Sequence, residues 1–142
     1  MISFVRQRWG QSLPPFLSRL SHSIFRIYYN MGDCIFCKIV DGSAPATIVH
    51  RDERVTAFRD LHPAAPTHSL IVPNRHIHSV NALETADAEI VGHMLVIAKE
   101  IAAKENLSDG YRLVTNTGPQ AGQTVFHMHL HLLGGRQLRA MG

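Results

Sequence analysis

Residues 122–135 read GQTVFHMHLHLLGG and place a histidine at every second position of an apolar run. Valine or isoleucine would pack at these positions without the cost of burying a polar ring. Successive side chains of a β-strand point to opposite faces, so the alternation predicts a strand over residues 124–133. One face of that strand carries the histidines, and the other supplies core residues. The histidine face consists of His127, His129 and His131, and the core face of Phe126, Met128, Leu130 and Leu132.

Three interpretations of the histidine face compete. The rings could lie on an exposed sheet surface, they could bind a metal ion with one open position, or they could perform covalent or acid–base catalysis. The residues before the first histidine favour the last of these. Gly122 allows a close approach of the backbone, and loop N–H groups bind phosphate oxygens.

The rest of the chain predicts an α+β domain with a largely antiparallel sheet. Residues 47–60 (TIVHRDERVTAFRD) have the pattern of a hairpin with its turn near 51–53. SLIVP at 69–73 is a compact strand. Apolar residues recur at helical spacing over 84–106, and a further strand is predicted over 111–116, before the histidine strand. A hairpin, a strand, a long helix and a second hairpin make an α+β fold.

Composition and charge exclude several partners. The chain has 142 residues and a net charge of +3, but four of its 14 basic residues lie in the first 32, which contain no acid. The remainder, with 10 basic and 11 acidic residues, is close to neutral and has no cluster of lysine or arginine. Nucleic acid is therefore not expected as a partner. No apolar run approaches the 18 to 20 or so residues of a membrane-spanning helix, so no membrane association is expected.

We divide the chain into an N-terminal extension, residues 1–32, and a domain, residues 33–142. The extension is rich in arginine and serine and free of acids, which is typical of an organelle transit peptide. Alternatively, translation starts at Met31, or the extension is a genuine but poorly ordered tail. A transit peptide predicts a mitochondrial or plastid protein, and a start at Met31 predicts a cytoplasmic one.

Cys34 and Cys37 form a single Cys-x-x-Cys pair, which argues against a disulfide-stapled secreted domain. Such a pair is typical of half a zinc site or of a thioredoxin-like redox centre. The redox interpretation requires a strand leading into a helix at this point, and the preceding residues belong to the extension.

The motif HMHLHLL resembles the His-x-His-x-His-x-x signature of the histidine-triad (HIT) family. The segments FRDLHPAAPTH, LIVPNRHI, DGYRLVTNTG, AGQTVFH and GGRQL resemble successive blocks of its Hint branch, the purine nucleoside phosphoramidases, over residues 33–138. The resemblance implies a HIT-like fold: a mainly antiparallel five-stranded sheet, one long helix and a short N-terminal helix. It also implies a homodimer.

The resemblance implies hydrolysis of the P–N bond of AMP-type purine nucleoside phosphoramidates. His129 would be the nucleophile, forming a covalent nucleotidyl-histidine. His127 and His131 would orient it, and Thr124 would assist the leaving group. His76 matches a fourth histidine of the family site. Rival hypotheses are a dinucleoside polyphosphate hydrolase, a nucleotidyl transferase and a non-catalytic nucleotide-binding adaptor.

The resemblance also implies the substrate-binding residues. Asp60 would bind the ribose hydroxyls. Four apolar residues would line the base pocket, and four would lie near the phosphate. The base set is Ile35, Phe36, Phe58 and Leu61, and the phosphate set is Asn116, Gly122, Gln123 and Val125. No role is assigned to His50, His62, His68, His78 or His93.

No cofactor is required for the reaction that the resemblance implies. Some HIT proteins, however, hold a structural zinc ion with a cysteine pair and two histidines. The matching zinc ligands here would be Cys34, Cys37, His76 and His127. The C-terminus departs from the Hint pattern, because LRAMG follows GGRQ where relatives commonly have a Trp-Pro-Pro-Gly-like end.

Overall fold

The computed structural model describes residues 33–141. The predicted extension over residues 1–32 lies outside the described residues. The strands within these residues are β1 (Ile48–Arg51), β2 (Val55–Arg59), β3 (Thr67–Pro73), β4 (Tyr111–Val114) and β5 (Leu130–Gly134). They form one antiparallel sheet with the order β1-β2-β3-β5-β4. Two α-helices in the same part of the chain, α1 (Ile35–Asp41) and α2 (Ala88–Lys104), complete the α+β fold and confirm the predicted fold class.

Helix α2 covers one face of the sheet. Its buried residues Met94, Ile97 and Ile101 recur at helical spacing and pack on inward-facing residues such as Ile71 and Leu132. A short 3-10 turn, whose ends Glu84 and Asp87 cap each other, leads into the helix. This core fixes the position of β5 between β3 and β4.

The opposite face is covered only in part, by the short helix α1. Phe36 and Ile39 of this helix pack on Phe58, Leu70 and Val72 of the two central strands. Because α1 has only seven residues, it leaves the neighbouring part of this face, next to β5, for the histidines.

The predicted histidine strand is correct only in its second half. β5 begins at Leu130, so His127 and His129 precede it in an irregular segment. Here the N–H of Met128 donates to the carbonyl of Ile77 at 2.6 Å, outside the strand ladder. Met128 is buried as predicted, but Phe126 is 40% exposed and stacks on His78 instead of entering the core.

No helix within residues 33–141 combines the length and apolar character that crossing a membrane requires.

Candidate active site

His129 is held with one ring nitrogen free. Its Nδ1 lies 2.7 Å from the carbonyl oxygen of His127. A carbonyl only accepts, so Nδ1 carries the proton and Nε2 keeps its lone pair. His129 is 6% exposed, and the ring of Phe36 packs edge to face with its ring, with 5.2 Å between the two ring centroids. A neutral imidazole in this tautomer is the form that a histidine nucleophile requires.

His131 presents a hydrogen-bond donor next to that lone pair. The N–H of Ala64 donates to His68 Nδ1 at 3.0 Å, so His68 carries its proton on Nε2. His68 Nε2 in turn donates to His131 Nδ1 at 2.9 Å, which leaves the His131 proton on Nε2. That atom is the one buried side-chain nitrogen or oxygen within residues 33–141 that has no partner. The rings of His129 and His131 are 4.9 Å apart.

Burial keeps His68 and His131 neutral at pH 7. Desolvation, assisted by the neighbouring rings of His129 and His68, lowers the pKa of His131 to about 4. Burial also lowers the pKa of His68, against the opposing effect of Asp60. The two rings therefore hold defined tautomers, and the direction of the hydrogen bonds is fixed.

His68 is the functional residue that the sequence analysis missed. Its strand partner is Leu133, and His131 pairs with Leu70 two residues further along β3. Only the register between β3 and β5 brings the two histidines together. The sequence alone contains no signal of that register.

His129, His131 and His68 lie side by side in what we call the histidine row, and Asp60 lies at its His68 end. Its Oδ2 is 3.4 Å from His68 Nε2, and its Oδ1 accepts the N–H of His62 at 2.8 Å. Asp60, His68 and His131 are close enough to share a metal ion. However, the proton on His68 Nε2 occupies the direction that a metal would need. This group is therefore suited to hydrogen bonding instead of metal binding.

The predicted base-pocket residues divide into two kinds. Phe36 and Phe58 are buried and meet edge to face at 5.3 Å. Ile35 is exposed, and Leu61 is 86% exposed. The aromatic pair thus belongs to the core beneath the site, and the two aliphatic residues lie on its surface.

The residues predicted near the phosphate surround the irregular segment. Gly122 has φ of 85°, in the left-handed region that glycine tolerates. Gln123 is buried, and its amide is used entirely by main chain: Oε1 accepts from Gly118, and Nε2 donates to the carbonyls of His78 and Val125. It therefore braces the loop, and Thr124, the next residue, is exposed.

The other two residues of this set flank the loop. Val125 packs against the cluster under α1. Asn116 is half-buried, two residues after Val114, which pairs with His131. Continuing that register would place Asn116 beside His129.

Next to the histidine row is a second cluster made of Cys34, Cys37, His76 and His127, whose potential ligand atoms lie within 4.8 Å of one another. His127 Nδ1 is 3.5 Å from both sulfur atoms, and His76 Nδ1 is 3.3 Å from Cys37 Sγ. These separations are close to the S···N edge of about 3.6 Å in a tetrahedral zinc site. His76 thus lies with the cysteines and not in the row with His129 and His131.

The tautomer of His127 also suits a metal site at this cluster. Its Nε2 is 2.8 Å from the carbonyl of Pro73, so Nε2 carries the proton and Nδ1 directs a lone pair at the sulfur atoms. Burial lowers the pKa of His127 to about 4 and, together with Cys34, raises the pKa of Cys37 to about 12. The neutral ring of His127 thus fits a Cys₂His₂ metal site, and a metal ion bound there would have to displace the thiol proton that burial otherwise keeps on Cys37.

The model of the HIT domain family matches residues 41–138. The chain belongs to the HIT family. This confirms the resemblance inferred from the histidine motif.

Named relatives of this HIT protein include a phosphoramidase and a zinc-binding protein. The purine nucleoside phosphoramidase of Escherichia coli (strain K12) is 47% identical over 110 residues, which are 77% of this chain and 92% of the relative. The 14 kDa zinc-binding protein of Zea mays is 48% identical over 106 residues, covering 73% of this chain and 83% of the relative.

A solved structure agrees with these sequence relatives. The crystal structure of a HIT family hydrolase from Legionella pneumophila superposes with a TM-score of 0.74 at 49% identity, covering 75% of this chain and 96% of that chain. Together these similarities support a hydrolase of the HIT family.

Proposed function

We propose that this HIT protein is a hydrolase that cleaves the P–N bond of AMP-type purine nucleoside phosphoramidates through a nucleotidyl-His129 intermediate. The observation that carries the proposal is the hydrogen bond from His129 Nδ1 to the carbonyl of His127. It leaves Nε2 as the free nucleophilic atom beside the Nε2–H of His131, which has no partner within residues 33–141. The similarity to a purine nucleoside phosphoramidase supports the proposed substrate class.

In the first step, the lone pair of His129 Nε2 attacks the α-phosphorus, and the P–N bond breaks. The amine leaves with a proton that the hydroxyl of Thr124 relays from solvent. His131 Nε2–H donates to a phosphoryl oxygen, where negative charge develops. His129 retains its Nδ1 proton, so the ring of the intermediate is a cationic imidazolium whose N–H donates to the carbonyl of His127, and the attached phosphoryl group keeps its negative charge.

In the second step, water attacks the same phosphorus, and the bond to His129 Nε2 breaks. Water loses one proton to solvent, AMP leaves, and the histidine lone pair is restored. Splitting one difficult displacement into two is the general advantage of covalent catalysis.

The nucleoside would lie on the α1 side of the sheet. Asp60 Oδ2 is available to the ribose hydroxyls at the end of the histidine row. Ile35 and Leu61 would contact the base from their exposed positions, above the buried Phe36 and Phe58. This arrangement contacts the base through apolar atoms, which is consistent with either purine.

We further propose that Cys34, Cys37, His76 and His127 hold a structural zinc ion. The distances, the His127 tautomer and the similarity to a zinc-binding protein support this assignment. Such a closed four-ligand site would stabilise the fold and leave no open position for chemistry.

We also propose a homodimer. Leu95 and Val96 of α2 are apolar but 47% and 49% exposed, and β4 is an edge strand of the sheet. Exposed apolar side chains and an unpaired strand edge are two kinds of surface that a second copy covers.

The test is turnover of adenosine 5′-phosphoramidate by the purified full chain, by His129→Gln and by a matched control, His93→Gln, on the other side of the sheet. We expect the wild type and the control to release AMP at similar rates and His129→Gln to lose at least about 1000-fold in kcat. An inactive wild type that still binds AMP would favour the adaptor. Equal rates in all three proteins would remove His129 from the mechanism.

A further inference from the structure

His127 belongs to both clusters of the site. Its ring nitrogen Nδ1 faces Cys34 and Cys37, at 3.5 Å from each sulfur. Its backbone carbonyl accepts the Nδ1 proton of His129. One residue therefore joins the candidate metal site to the group that defines the nucleophile.

The peptide unit between His127 and Met128 makes this connection rigid. Its C=O accepts from His129, and its N–H donates to the carbonyl of Ile77 at 2.6 Å. Ile77 directly follows His76, the other histidine of the metal set. The two histidine ligands thus flank, on two different segments, the peptide plane that orients the nucleophile.

We propose that the Cys34, Cys37, His76 and His127 set, when it holds a metal ion, acts as a positioning device that fixes the reactive tautomer of His129. This inference rests on the proposed function and extends it. The coupling passes through the peptide plane of residues 127 and 128 and involves no transfer of a proton between the two clusters.

A metal ion would add further restraints to this connection. Without one, the His127 ring is fixed by a single strong hydrogen bond, from Nε2 to the carbonyl of Pro73, and only weak S···N contacts hold its other side. Metal bonds to both cysteines and both histidines would join the start of α1, the segment after β3 and the segment before β5. The His127 carbonyl, which accepts the hydrogen bond from His129, would then be held in one position.

The effect is expected to be larger on kcat than on KM. The proposed nucleoside contacts Asp60 and Leu61 follow β2, away from the metal set, and only Ile35, next to Cys34, lies on the metal-binding segment, so most of the substrate contacts should survive metal loss. A displaced carbonyl would instead let His129 populate its other tautomer, with Nε2 protonated and unable to attack. We expect kcat to fall by about 10- to 100-fold, the usual scale for outer partners of a reactive histidine.

The experiment uses the full chain in three forms: loaded with one zinc ion, stripped by chelation, and as Cys34→Ser. Val40→Ala is the control, because Val40 lies on the same helix and packs against its apolar cluster but offers no atom that can bind a metal. Two readouts are recorded. They are the nitrogen NMR signals of the His129 ring, assigned by their loss in His129→Gln, and the kcat and KM for adenosine 5′-phosphoramidate.

The zinc-loaded protein and Val40→Ala should show His129 protonated on Nδ1 alone. The stripped protein and Cys34→Ser should show a mixture of tautomers and a lower kcat, and re-addition of zinc should restore only the stripped wild type. Failure to bind zinc, or unchanged His129 signals after its removal, would overturn the proposal. The NMR readout decides this even if the chain proves not to be a phosphoramidase.

Discussion

The chemistry of the site depends on which nitrogen of each imidazole carries the proton. His129 is set by the carbonyl of His127, His127 by the carbonyl of Pro73, and His131 by the Nε2–H of His68. Each ring therefore has one assigned donor and one assigned acceptor. In the proposed mechanism, three histidines of the same type would thus have three different functions: nucleophile, metal ligand and donor to the phosphoryl group.

His68 should matter for turnover although it is not expected to touch the phosphorus. In His68→Leu, His131 loses the donor that holds its proton on Nε2, so we expect kcat to fall about 10- to 100-fold with little change in KM. The control is His62→Gln, an exposed histidine whose backbone, but not its ring, contacts Asp60. Equal kcat values for the two variants in steady-state kinetics would contradict the proposed positioning of the His131 proton by His68.

The burial of His131 predicts a loss of stability in acid. Its pKa is about 4 in the folded chain and near 6.5 in an unfolded one, so the unfolded state binds the proton more tightly. Stability is unaffected above pH 6.5 and falls as the pH drops from 6.5 to 4, by on the order of 2 kcal/mol after allowance for solvent screening.

Urea unfolding at pH 7, 6 and 5 measures this loss of stability. In His131→Gln, which cannot titrate, the decrease should be smaller than in the wild type. Parallel decreases in the two proteins would show that other groups cause it.

At the level of secondary structure, the decisive segment is 122–129, which leads into β5 without belonging to it. Its main chain bonds to Ile77, and the Gln123 amide joins it to Gly118 and His78. This irregular path places His129 in the site, and the chain joins the sheet one residue later, at Leu130. The segment behaves as a braced loop, and its geometry depends on the left-handed glycine at 122.

Gly122→Ala should disturb that loop through backbone strain alone, because no atom lies within 4 Å of the added Cβ position. We expect a stability loss of about 1 kcal/mol and a reduced kcat. Gly122→Asn should recover part of both, since asparagine tolerates the left-handed region better than alanine. Equal stability of the two variants in thermal unfolding would exclude strain as the cause.

The sequence predicted those elements whose pattern is local. The hairpin of β1 and β2, the strand β3 and the helix α2 follow from turn residues and apolar periodicity, and all are present. The strand start at residue 124 was wrong, because alternation does not reveal that Ile77 competes for the main-chain donor of Met128. The role of His68 and the exposure of Phe126 likewise depend on tertiary pairing, which one sequence cannot show.

At the scale of the whole domain, the sheet lies between the main apolar core and the candidate active site. Helix α2 and its apolar cluster cover one face, and the histidine row with the cysteine cluster occupies the other. The outer side of α2 still exposes Leu95 and Val96. This is the surface that the proposed homodimer would bury.

Val96→Glu should convert that dimer to a monomer, because a carboxylate would have to be desolvated in the interface. Val80→Glu is the control, since Val80 is also a partly exposed valine but lies outside the helix. Sedimentation velocity should give a monomer for the first variant and a dimer for the second. The homodimer is contradicted if the wild type itself sediments as a monomer at micromolar concentration.

The most direct test of the central claim is capture of the covalent intermediate. The full chain is mixed with adenosine 5′-phosphoramidate, quenched in alkali, where phosphohistidine bonds persist, and digested for mass spectrometry. We predict one added AMP group on the peptide that contains residues 122–135, located on His129 and missing in His129→Gln. Adenylylation of another residue, or full turnover of the substrate by His129→Gln, would contradict the account.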